Sequence, residues 1–244
     1  MKTSIAETNR ANQIQRKLIA ATLFACVAVL AITAPPAVAA TDKITSSTAL
    51  TLRTPSQPIS DAALLDVGIP TLNDGLYLTD ESDTVFPEVR YAEAIYFSNQ
   101  LAKVMEKSGA WGAIRVTPTD SVIMDLYITG TILQSDGETM DLDIQVRDSS
   151  GKQWFAKNYK QTTGKYAYDR RLKRLGDPFQ NLFIRIANDL LAYREKLSEQ
   201  QAIELRTISE LRFAKSFSPE AFDNYVSERR DGTLKIDRLP AEND

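Results

Sequence analysis

The chain has 244 residues, a formal net charge of −3 and no histidine. The missing histidine excludes Ser-His-Asp and Cys-His catalysis, histidine metal sites and an imidazole pH switch, whereas carboxylate-only hydrolysis survives because it needs just two placed acids. The acidic balance, 32 Asp plus Glu against 29 Lys plus Arg, excludes a general nucleic-acid grip, whose affinity comes from cationic neutralisation of phosphates.

Residues 16–41 read as an export signal. Arg16 and Lys17 precede an apolar run from Leu18 to Ala34, Pro35-Pro36 ends it, and Ala37-Val38-Ala39 gives the small-x-small pattern of a signal-peptidase site before Ala40. Two other readings stay open. Leu23-Phe24-Ala25-Cys26 has part of the shape of a lipobox, with Cys26 as the acylated residue, and the apolar run approaches the ~20 residues of an uncleaved membrane anchor. All three readings place the folded part outside the cytoplasm. Cleavage before Ala40 removes Lys2, Arg10, Arg16 and Lys17 but only Glu7, which takes the formal charge from −3 to −6. The sole cysteine leaves with the leader, so the exported part forms no disulfide and relies on its own core.

Residues 40–61, rich in Ser, Thr and Pro with no periodic apolar face, read as a flexible tether or a lightly ordered arm. Leu64, Leu65, Val67 and Ile69 predict a short, largely buried strand ended by Pro70. Residues 73–87 are acidic and turn-rich, a loop. From Glu88 to Ser108 the residues Tyr91, Ala94, Ile95, Phe97, Leu101, Val104 and Met105 recur at helical spacing, and Gly109 supplies a left-handed stop. Ile114 and Val116 make a short strand.

Val122, Met124, Leu126 and Ile128 then alternate with a mixed set, and after a turn Met140, Leu142, Ile144 and Val146 alternate with Asp141, Asp143, Gln145 and Arg147. A third strand around Trp154–Lys160 completes a meander, antiparallel by its short turns and solvated on one face. Helices follow. Phe179, Leu182, Phe183, Ile186, Ala187, Leu190 and Leu191 form one apolar stripe after Asp177 as cap and Pro178 as first helical residue. Ser198 with Gln201 resembles a capping box opening a helix through Ile203, Ile208 and Leu211. Ser218-Pro219 opens a last short helix with Phe222, Tyr225 and Val226, and residues 231–244 read as a polar tail. The chain shows no internal repeat.

The expected fold is α+β, a mainly antiparallel four- to five-stranded sheet covered by helices. Its expected divisions are a signal peptide (1–39), a tether (40–61), an α/β domain (62–195), a helical C-terminal extension (196–230) and the tail (231–244). The helix ending at Ser108-Gly109-Ala110-Trp111-Gly112, the strand Ala113–Val116, the hairpin between Asp125 and Gln153 and the following helix together resemble the small α/β domain of bacterial envelope lipoproteins, of the curli-secretion-channel, penicillin-binding-protein-activator and transporter-auxiliary types. The segment Asp125-Leu126-Tyr127-Ile128-Thr129-Gly130 looks like the D-x-x-x-x-G strand of those domains. What the resemblance implies is a non-catalytic adaptor, with no active-site residues to carry over.

Four candidate sites stand out. Asp141 and Asp143 share a strand face with Arg147, and Asp125 lies on the partner strand, an arrangement that suits either a calcium or acid/base site or cross-strand charge pairing. Asp74, Asp80, Glu81 and Asp83 carry loop carboxylates without EF-hand spacing. Lys165, Arg170, Arg171, Lys173 and Arg174, in the run KYAYDRRLKR, offer either a contact for anionic lipid or an acidic partner, or a solvated face. Trp111, between Gly109 and Gly112, is either an exposed recognition aromatic or a cap on the core.

The expected function is that of a non-catalytic exported cell-envelope protein, a binding or assembly adaptor in the periplasm or at the outer membrane. No cofactor or metal is expected, and the expected partners are an envelope protein, an anionic lipid surface or a second copy of the chain. The alternatives are a carboxylate-dependent hydrolase of envelope glycan and a lipid- or small-ligand-binding periplasmic protein.

Overall fold

A computed structural model of the protein describes residues 50–78, 85–164 and 177–240 in full and 42–44 by their backbone. The expected signal peptide with Cys26, the basic segment 165–174 and the acids Asp80, Glu81 and Asp83 lie outside these residues. Among the described residues no helix is long and apolar enough to cross a membrane.

Strand β2 (Val67–Pro70) is buried at all four positions, as befits a strand flanked on both edges. It pairs in parallel with β3 (Ile114–Thr117) on one side and with β4 (Leu126–Ser135) on the other. Parallel pairing needs a long crossover. That crossover is α1 (Pro87–Ser108), which Gly109 ends at φ 66° with its N–H on the carbonyl of Glu106. Strands β4, β5 (Thr139–Asp148) and β6 (Gln153–Thr162) form the expected antiparallel meander, and β1 (Asp42–Ile44) lies parallel to the far edge of β6.

The sheet order is thus β1-β6-β5-β4-β2-β3. This corrects the expectation of a mainly antiparallel sheet of four or five strands, since parallel and antiparallel pairings are mixed. The physical reason is α1, which returns the chain to the starting end of β2 before β3 begins.

One face of the sheet carries the core. Leu126, Ile128 and Ile132 of β4 and Met140, Leu142, Ile144 and Val146 of β5 are at most 2% exposed. They pack under α1 and α2 (Gln180–Arg194), whose Phe97 and Phe183 rings lie 6.0 Å apart. Asp177 precedes α2 as expected, but its carboxylate accepts from the N–H of Phe179, and the helix proper starts at Gln180. Helix α3 (Glu199–Phe217) opens with the full Ser198–Gln201 capping box and adds Ala202 and Leu205 to the core.

Two peripheral segments carry structure of their own. Residues 50–56, read as tether, are laid along α2: Asn181 and Asn188 accept the N–H groups of Leu50 and Arg53, and Glu195 accepts that of Ser56. Beyond α4 (Pro219–Phe222), Val226 belongs to a strand instead of the helix. Strands β7 (Val226–Glu228) and β8 (Leu234–Ile236) make a hairpin that spans the end of the expected helical extension and the start of the expected polar tail. It is tied to the β5–β6 turn by the N–H of Leu234 on the carbonyl of Ser150, 2.8 Å away.

Candidate functional site

The structure separates most of the residues that the sequence grouped. Trp111 is 6% exposed and belongs to the core, with its ring 6.5 Å from that of Trp154. Asp141 pairs across the hairpin with Lys160 at 2.9 Å and also accepts from Asn158, while Arg147 turns to Asp120 at 3.7 Å. The β4–β5 register sets Leu126 opposite Asp148 and Gln134 opposite Asp141. Asp125 falls opposite Ser149, so it and Asp141 are eight residues of strand apart, roughly 27 Å at about 3.4 Å per residue, and cannot share an ion. Asp74 uses its carboxylate locally, accepting from the N–H of Leu76.

Asp125 acts as a clasp. Its carboxylate, 4% exposed as a residue, accepts the N–H of Asp66 at 2.8 Å and the hydroxyl of Ser209 on α3, with Arg206 at 4.0 Å. Burial pushes this carboxyl above its ordinary range, against the hydrogen bonds from Ser209 and Asp66. Asp66 in turn accepts the N–H of Ala113. The pair thereby joins the starts of β2, β3 and β4 to α3. Gly130, at the other end of the D-x-x-x-x-G segment, is explained by contact: an added Cβ would sit 2.7 Å from Ile144 Cδ1 and 2.8 Å from the carbonyl of Asp143.

Function is better sought where α1 begins. A covering helix usually turns a charged face to water, but here Tyr91 and Ile95, expected in the core, are 62% and 39% exposed, beside Phe86 at 63% and Val89 at 55%. Their places in the buried stripe are taken by Arg90 and Ser98. The reason for Ser98 is clear: its hydroxyl accepts the N–H of Leu72 and donates to the chain, tying α1 to the end of β2.

Arg90 is the other polar intruder. Its Nε lies 3.4 Å from Glu93, whose other oxygen accepts the hydroxyl of Ser135. Its Nη1 is buried without a hydrogen-bond partner. Arg90 lines a cavity of about 620 Å³ between the start of α1 and the end of β4. Sequence periodicity could not have found it, because an arginine inside a hydrophobic stripe reads as a solvated position.

A second cavity, of about 430 Å³, lies between residues 55–60 and the α2–α3 junction. Its buried Arg194 donates to the carbonyl of Ala63 at 2.8 Å, and burial pulls the guanidinium pKa down. The carboxylates around it are engaged, Glu195 by Arg53 and Ser56 and Glu199 by Ser60.

No protein family and no curated protein matches the chain. Among solved structures, a PelC dodecamer from Paraburkholderia phytofirmans, itself a point variant, is similar at 16% identity and a TM-score of 0.29, over 64% of this chain and 95% of that one. A likeness of that size carries no argument about this chain.

Proposed function

We propose that the chain is a non-catalytic cell-envelope protein that works by binding, as an adaptor in the assembly of an envelope complex. The observation that carries this reading is the outward face of α1 and its approach, where Phe86, Val89, Tyr91, Ile95 and Tyr96 are 39–63% exposed. Aromatic side chains at the surface are enriched where proteins meet, and contiguous apolar surface on a monomer marks an interaction site. The export pattern of residues 16–41 supplies the compartment, and the cations of Lys165, Arg170, Arg171, Lys173 and Arg174 supply a contact for anionic lipid or an acidic partner.

The test is photo-cross-linking in living cells from positions 91 and 96, with Gln145 on the solvated sheet face as control. The expected result is a discrete adduct from the helix positions, identified as an envelope protein or a second copy, and none from Gln145. Absence of any adduct, or an unprocessed chain recovered from the cytoplasm, overturns the proposal. Serine at Arg170, Arg171, Lys173 and Arg174 tests the basic segment separately: unchanged membrane association removes it from this reading.

A further inference from the structure

Strand β3 ends the sheet and has a neighbour only in β2. The ladder shows which of its backbone groups are used. The N–H of Val67 donates to the carbonyl of Ala113 and that of Thr71 to the carbonyl of Thr117, each at 2.8 Å, and successive residues of a strand face opposite ways. Ala113, Arg115 and Thr117 therefore turn their backbone groups to β2, while the N–H and C=O groups of Ile114 and Val116 point away from the sheet. Among the described residues no strand pairs with them.

Natural edges are blunted by shortness, charge and proline, and β3 has four residues, an arginine and Pro118 behind it. Its side chains nevertheless suit a partner strand. Ile114 and Val116 are half-buried against the core, so β-branched residues set across from them would extend that packing. Arg115, on the other face, is exposed and makes no ion pair or hydrogen bond with the described residues. It lines a cavity of about 280 Å³ together with the exposed Val122 and Phe213. Two acids of that wall are already engaged, Asp66 by the N–H of Ala113 and Asp125 by the N–H of Asp66, the hydroxyl of Ser209 and Arg206. The third, Glu210, stands on α3 and outside the sheet, so a side chain directly across from β3 meets Arg115. A second copy of the chain fits poorly: antiparallel β3 on β3, with Ile114 opposite Val116, sets Arg115 against Arg115, and like charges so placed repel.

We propose that the free edge of β3 accepts an extended segment of a partner protein as a further antiparallel strand, with an acidic side chain opposite Arg115 and β-branched side chains opposite Ile114 and Val116. Strand addition of this kind draws affinity from main-chain hydrogen bonds and specificity from alternate side chains, and antiparallel pairing is the slightly more stable form. This inference goes beyond the adaptor reading, uses none of the α1 residues that carry it and is tested on isolated protein, so either can fail alone.

The test is an amide NMR titration of the isotope-labelled full chain with the peptide acetyl-Thr-Val-Glu-Val-Thr-amide. Shift changes are expected to centre on Ile114 and Val116. The same peptide with lysine in place of glutamate is expected to bind about fivefold more weakly, as a cross-strand charge pair predicts, and Arg115→Glu is expected to reverse that preference. Methylation of both valine nitrogens of the peptide removes ladder donors without changing a side chain and is expected to abolish binding. Val116→Pro removes one outward N–H while sparing the bonds to β2 and is expected to abolish binding too; because Val116 packs partly on the core and that variant can fail to fold, the exposed Arg115→Glu carries the test by itself. No shift change, changes centred elsewhere, a preference that Arg115→Glu leaves in place, or full binding of the methylated peptide overturns the proposal. Shifts at Ile114 and Val116 that follow protein concentration alone would assign the edge to a second copy and overturn it as well.

Discussion

Trp111 and Trp154 lie beside each other in the core with ring centroids 6.5 Å apart, yet their indole nitrogens fare differently. Trp154 Nε1 donates to Asp148 at 2.9 Å, whereas Trp111 Nε1 is buried without a partner. An unmade buried hydrogen bond costs ~1–3 kcal/mol. Trp111→Phe therefore removes an orphan donor while losing ring volume, and its net effect on stability is expected within about 1 kcal/mol. Trp154→Phe breaks a real bond and leaves a buried carboxylate oxygen short of a donor, an expected loss of about 2–4 kcal/mol. Urea unfolding of both variants gives the comparison; equal losses would mean that Trp111 has an acceptor.

The Asp125 clasp predicts a pH dependence of definite sign. Its carboxyl is raised, by burial first, so the folded chain holds that proton more tightly than the unfolded chain, where the group titrates near ~3.9. Ionised Asp125 thus subtracts stability at neutral pH, and the subtraction fades as pH falls through the raised value. The stability of wild type minus that of Asp125→Asn is expected to grow as pH drops from neutral toward the carboxylate range, with the other acids cancelling in the difference. A flat or shrinking difference in pH-dependent denaturation contradicts this. Asp125→Ala strands the N–H of Asp66 and the hydroxyl of Ser209, an expected loss of about 2–4 kcal/mol, against about 1 kcal/mol for Ser209→Ala.

These two sites also show which parts of the structure the sequence carries. Met140, Leu142, Ile144 and Val146 alternate over a long strand, so their burial follows from a period of two. Ser198 with Gln201 and the stop at Gly109 are local devices whose geometry is complete within a few residues. The direction of β2 and β3 is different in kind: these strands of four residues each contain no signal that separates parallel from antiparallel pairing. Tyr91 and Ile95 flank the buried stripe of α1 closely enough for periodicity to include them, while Arg90 and Ser98 owe their burial to partners and packing that helical spacing does not encode. Leu133 depends on a register slip that only the paired strand reveals. The candidate cavity was illegible because each of its determinants is an exception to the local pattern.

Gly130 gives a steric prediction. A Cβ there meets the carbonyl of Asp143 at 2.8 Å as well as Ile144 Cδ1 and Leu72 Cδ2. The two side-chain ends can yield, but the carbonyl belongs to the β4–β5 ladder and cannot move without breaking it. Gly130→Ala is expected to destabilise by about 1–3 kcal/mol, as overpacking does. Pairing it with Ile144→Val should recover only part of the loss, and full recovery in thermal unfolding would show that the side chain alone was limiting.

The arm along α2 can be released without touching the core. Glu195 accepts the N–H of Ser56 at 3.1 Å and pairs with Arg53 at 2.8 Å. The Ser56 N–H first, then burial in opposition, then the remaining contacts with Ser56 and Arg53 set its carboxyl, which is held below the ordinary range. A depressed pKa means that the contribution is present above the unfolded value of ~4.3 and is lost as pH falls through the folded value. Because the pair is exposed to solvent, its share of global stability is below about 1 kcal/mol, so the effect belongs to the arm. Glu195→Gln is expected to raise amide hydrogen exchange across residues 50–57 at neutral pH, with little change in the unfolding midpoint. Acidified wild type, corrected for intrinsic rates, is expected to show the same local loosening. Unchanged exchange in Glu195→Gln would assign the docking to Asn181 and Asn188, whose amides reach Leu50, Thr51 and Arg53 independently, and the double replacement of those two by Ala then becomes the change that frees the arm.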